Sequence, residues 1–65
     1  MITRKEVYEA LHHTADEDLL TQINTFRLSL NKNPICPDTL EVAREIAQDR
    51  PDYIGYCAEL VVNQP

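Results

Sequence analysis

Sixty-five residues leave room for one small domain, residues 1–65, which buries a smaller share of its surface than a typical domain. Eleven acids against six bases give a net charge of −5. That argues against a nucleic-acid backbone or an anionic membrane as the main partner, because both demand clustered Lys and Arg.

The single glycine is unusual for an all-β chain, whose turns need several. No apolar run approaches the ~18 residues of a membrane span. Two cysteines are too few for a secreted disulfide scaffold. Met1-Ile2-Thr3 leads straight into Arg4-Lys5-Glu6, without the apolar region of a secretory signal. The expectation is a cytoplasmic protein with reduced thiols.

The first helix is expected over about residues 3–13. Thr3 with Glu6 three positions on is a capping box, and Ile2 with Val7 has the spacing of a hydrophobic staple. Val7, Tyr8 and Leu11 supply an apolar face, and His12 and His13 suit the negative end of the helix dipole. A second helix is expected over about 14–31. Thr14 and Glu17 repeat the capping-box pattern, and Leu19, Ile23, Phe26 and Leu30 recur at spacings of four, three and four. Asn31-Lys32-Asn33-Pro34 is a stop signal, since Asn tolerates the left-handed C-terminal position and Pro blocks continuation. Ile35-Cys36 follows as a short link.

A third helix is expected over about 37–50, with Asp38 and Glu41 as another capping box. Its inner face is Leu40, Ala43, Ile46 and Ala47. At 100° per residue, Asp38, Glu41, Glu45 and Asp49 form an acidic stripe on the opposite side. Pro51 ends this helix and can serve as an early residue of a fourth, over about 51–62. That helix is almost wholly apolar, with Glu59 its one charge after Asp52. Asn63-Gln64-Pro65 is expected to fray. Four short helices with brief links predict an all-α fold, a compact bundle or array of three or four helices.

The chemistry-bearing residues do not assemble into a catalytic pattern. His12, His13, Cys36 and Cys57 could ligate zinc, but they lack the close pairing of a structural site, and adjacent histidines on a helix diverge by about 100°. A Cys–His nucleophile has no third orienting group and no glycine turn for an oxyanion hole. No catalytic residue, cofactor site or metal site is therefore assigned, and the chain is not expected to be an enzyme.

Helices three and four have the outline of a helix-turn-helix. The second of them offers Asp52, Tyr53, Tyr56 and Glu59 to a duplex and no Lys or Arg beyond the turn, so direct nucleic-acid binding is not favoured.

Two surfaces remain. The acidic stripe of Asp38, Glu41, Glu45 and Asp49 is a solvated helix face or a docking surface for a basic patch on another protein. The fourth helix is either a central core helix or a partner or homodimer surface. Tyr53, Tyr56 and Leu60 spread beyond its Ile54-Cys57-Val61 stripe, and tyrosines are favoured at interfaces. The run from Val42 to Tyr53 resembles the helix–proline–helix segment of the small theta-subunit family of bacterial replicative polymerases. The resemblance covers a minor part of the chain. It implies a helical bundle serving as an accessory subunit of a larger enzyme complex, and no residue roles are transferred from it.

The sequence thus points to a small non-catalytic protein–protein interaction module, a regulatory or inhibitory accessory factor of bacterial or phage type. Its expected partner is another protein or a second copy, and not a membrane. The alternatives are a helix-turn-helix-like DNA-associated regulator and an accessory subunit.

Overall fold

The computed structural model describes residues 2–65. Among these, four α-helices follow one another: α1 Arg4–His12, α2 Leu19–Ser29, α3 Pro37–Ile46 and α4 Arg50–Val62. A single 3₁₀ turn, Asp16–Asp18, precedes α2. The fold is all-α, as the periodicity predicts.

The α4 helix is the central element. It packs against α1, α2 and α3, while α3 leans chiefly on α4. Ile54, Cys57, Ala58 and Val61 on α4 are fully buried with Val7, Leu11, Leu19 and Ile23. Each such aliphatic side chain contributes roughly 1.5–3 kcal/mol on burial. The exposed Arg4–Glu59 ion pair, at 2.6 Å between α1 and α4, is worth less than about 1 kcal/mol. Apolar burial on α4, not surface charge, therefore holds the helices together.

The helix ends explain the boundaries. Thr3 caps α1 by accepting a hydrogen bond from the Glu6 amide at 3.2 Å, and the half-buried Ile2 packs on the core near the fully buried Val7. The expected second cap fails. The Thr14 hydroxyl donates back to the Ala10 carbonyl at 2.8 Å, so the chain breaks and resumes as the 3₁₀ turn before α2. Residues 14–18 thus lie outside the α-helix that the capping pattern predicts.

The α2 terminus follows the stop signal. Asn31 takes φ 61°. Its amide reaches the Leu28 carbonyl at 3.1 Å and the Lys32 amide reaches the Arg27 carbonyl at 2.8 Å, the paired bonds of a Schellman motif. The following link is pinned by Asn24. Its side chain accepts from the Ile35 amide at 2.8 Å and donates to the Ile35 carbonyl at 3.2 Å.

The α3 helix begins at Pro37 with Cys36 as its cap residue, so Asp38 lies inside the first turn and the Asp38–Glu41 box is not the helix start. It also ends earlier than expected. Ala47 leaves helical geometry at ψ 139°, because the chain is committed to a new start: Asp49 accepts from the Asp52 amide at 2.9 Å, and Asp52 accepts from the Gln48 amide at 3.1 Å. Continuation through Pro51 would lose an amide donor and set its ring against the carbonyl of Ala47. The fourth helix accordingly starts at Arg50, with Pro51 as its second residue. Ile46 is not an inner-face residue; it is 58% exposed.

Two long side chains close the C-terminal end of α4. Arg27 on α2 is 3% exposed. It donates to the main-chain oxygens of Asn33 at 2.7 Å, Gln64 at 3.2 Å and Pro65 at 2.6 Å, and also to that of Leu60. Lys32 donates to the Val61 oxygen at 2.6 Å. Instead of fraying, residues 63–65 are drawn over the guanidinium. The other end of α4 works in the opposite sense: Arg50 donates to the His12 and Thr14 oxygens at 3.1 and 2.9 Å, closing α1.

Replacing Arg27 with Met removes the donor from these partly buried carbonyls and is expected to lower unfolding free energy by about 2 kcal/mol in urea denaturation. Arg27→Lys should recover only part of the loss, since one ammonium cannot span Asn33 and Pro65. An unchanged midpoint for Arg27→Met would remove the clamp from the account of stability.

Candidate functional site

The residues singled out in the sequence separate into three groups. Asp38, Glu41 and Glu45 are exposed along one side of α3. Asp49 is not on that helix; it is the N-cap of α4, and its carboxylate is occupied by the Asp52 amide. The acidic stripe therefore has three members.

The tyrosines divide as well. Tyr53 is 5% exposed and belongs to the core, with the Arg44 guanidinium carbon 4.8 Å above its ring centroid. Its hydroxyl has no hydrogen-bond partner among the described residues, and burial raises the phenol's pKa. Tyr56 and Leu60 are half-buried and face the space beside α3.

That space is a groove of about 360 Å³ between α3 and α4. Val42 and Ile46 form one wall, Tyr56 and Leu60 the other, and Ala43 lies between them. Val42 is 57% and Ile46 58% exposed, which makes them two of the three large aliphatic side chains left most open to water. The third, Leu28 at 59%, stands apart on α2. Ala43 is small and buried, so α3 and α4 approach closely at the base of the groove while the longer neighbours stand apart. Glu59 also borders it, and no Lys or Arg does. Sequence reasoning found Tyr56 and Leu60 but assigned Ile46 to the interior and Val42 to no surface. The signal was present: Val42 and Ile46 are four apart, on the side of α3 next to Asp38 and Glu45.

A second cleft of about 210 Å³ lies where α3 gives way to α4, lined in part by Asp16, Arg44, Asp49, Arg50 and Tyr53. Its charges already serve the fold. Arg50 is bound to the end of α1 and lies 3.4 Å from Asp16, and Asp49 caps α4.

His12 and His13 are exposed at the end of α1, and the His12 ring stacks on Tyr8 at 5.9 Å. Among the described residues, no group of three or more His, Cys, Asp or Glu side chains is placed to hold a metal ion. Both cysteines are free thiols, Cys36 exposed and Cys57 buried. Hydrogen bonding from Thr39, whose hydroxyl is 3.5 Å from the sulfur, lowers the Cys36 pKa. Burial pushes the Cys57 thiol up to about 11. Among the described residues, no helix is long and apolar enough to cross a membrane.

Asp49→Ala should lower stability by about 1 kcal/mol, as loss of an N-cap does, while Glu45→Ala stays within about 0.5 kcal/mol. Equal effects in urea denaturation would return Asp49 to the solvated stripe. The thiols are expected to react unequally with a disulfide reagent at pH 8: Cys36 promptly, Cys57 only as fast as the chain opens. Because the folded Cys57 pKa lies above its ordinary value of 9.0, the stability gained by burying the neutral thiol is present below that pH and is lost as pH climbs through about 11. Rapid labelling of both thiols in the native protein would contradict this placement.

Set against protein-family models, curated proteins and solved structures, the chain matches none of them.

Proposed function

We propose that this chain is a small non-catalytic protein-interaction module of regulatory or accessory type, and that it binds through the groove between α3 and α4. The carrying observation is the open wall of Val42 and Ile46, each more than half exposed, facing Tyr56 and Leu60 across that groove. Keeping such an apolar surface in water is unfavourable, and a continuous apolar recess bordered by charge is the usual form of a protein-binding site. Tyr56 is suited to an anchor role, with an apolar ring and a hydroxyl that can stay wet.

Other readings draw less support. A helix that reads DNA must offer a face to the major groove. Five residues of α4 are buried in the core, Tyr53 and Ile54 among them, and its one outlying arginine is bound to α1. For catalysis, Cys36 has Thr39 and not a histidine as its hydrogen-bond partner, and Cys57 is held protonated at neutral pH. Two free thiols are consistent with the reducing cytoplasm.

The test is affinity capture from native lysate with the wild-type chain, Ile46→Glu and Tyr56→Ala, each checked for unchanged helicity by circular dichroism. Both substitutions should reduce capture of any specific partner roughly tenfold or more, the effect of losing an interface anchor. A partner retained equally by all three proteins would move the binding face elsewhere.

A further inference from the structure

We infer that the occupant of the α3–α4 groove is an amphipathic helix of another protein, carrying Lys and Arg beside its apolar stripe. The inference rests on the groove being the interaction face and adds the chemistry of what fills it.

The walls decide the form of the occupant. Strand addition needs an unpaired sheet edge, and no strand occurs among the described residues. The groove is instead a trough between two helices, with aliphatic walls and a small-residue base. Such a trough accepts side chains that project at helical spacing from one face of a third helix.

Charge decides the rest. The chain's bases are mostly engaged in its own fold. Arg4 is paired with Glu59, Arg27 and Lys32 close α4, Arg50 closes α1, and Arg44 lies over Tyr53. Lys5 alone has no such contact among the described residues. The acids are not engaged to the same degree. Asp38 and Glu45 are exposed on the turns of α3 that carry Val42 and Ile46, and Glu41 is exposed farther round the helix; Glu59, which borders the groove, is the one of these acids paired with a base. The α3 side of the groove is therefore flanked by exposed acids while the floor is apolar. A second copy would bring the same acidic rim against itself, and like charges opposed across an interface are unfavourable. A helix with basic flanks replaces that repulsion with attraction at the rim and fills the trough with its apolar stripe.

The probe is a display library of random peptides of about 16 residues, a little over four helical turns at ~3.6 residues per turn. It is selected on the intact chain, and every enriched peptide is then assayed on Ile46→Glu. Enriched peptides are expected to carry apolar residues at three- and four-residue spacing and a clear excess of Lys and Arg. They should gain helicity on binding, and they should lose roughly tenfold in affinity to Asp38→Lys/Glu45→Lys. Peptides that need Ile46 but are neutral or acidic, or that bind without helical periodicity, would overturn the occupant while leaving the groove as the interaction face. Peptides indifferent to Ile46→Glu would overturn both. No enrichment, together with a dimer in sedimentation that Ile46→Glu dissociates, would replace the inferred occupant with a second copy. No enrichment from a monomer would overturn the inference and the groove reading together.

Discussion

The apolar core on α4 is closed at its C-terminal end by one buried cation. Arg27 is taken out of water without an Asp or Glu side chain to balance it, and is met by main-chain oxygens at and just beyond the C-terminal end of α4. The last carbonyls of a helix have no intrahelical donor and together carry about half a negative charge. Arg27 supplies a missing donor to Leu60 and Lys32 one to Val61, and the guanidinium also binds the Gln64 and Pro65 oxygens just beyond the helix. Two liabilities, a buried guanidinium and a set of orphan carbonyls, satisfy each other. Because the same guanidinium also holds Asn33, it joins the α2–α3 link to the end of α4.

A related solution appears at the opposite end. Arg50 begins α4 and closes α1, so each end of the central helix is tied to a neighbour through an arginine. The reversal between α3 and α4 relies on carboxylates. Asp49 and Asp52 bind the amides of Asp52 and Gln48 and fix the chain where Pro51 forbids a continuous helix. This turn joins α3 to α4, the two helices that line the groove. The outward charge is acidic in part because Arg27 and Lys32 are turned onto carbonyls at the end of α4, while Asp38, Glu41 and Glu45 face the solvent.

Much of this architecture was legible in the residues. The periodicity of Leu19, Ile23 and Phe26, the Thr3 cap and the Asn31 stop read directly as local structure, because each depends on neighbours a few positions away. What did not read directly depends on distant partners. Arg27 looks like an ordinary surface residue of an amphipathic helix until the tail, 33 to 38 positions on, is folded over it. Asp49 falls on the acidic stripe by angle, but its competition for the Asp52 amide ends the helix that would have put it there. Thr14 has a good capping pattern and spends its hydroxyl on Ala10. Ile46 has the angle of an inner residue, yet α3 meets α4 on one side only and leaves it uncovered. The two tyrosines, equivalent by composition, are separated by one helical turn into core and groove.

The position of α4 in the chain has a consequence for how the molecule forms. It is the last of the four helices to be synthesised, and it supplies the surface against which the other three pack. Until it emerges, Val7, Leu11, Leu19 and Ile23 have no lid, and Arg27 has no carbonyls to bind. The first three helices alone would leave these apolar faces uncovered. Truncation of α4 would remove the common core itself and not a peripheral element.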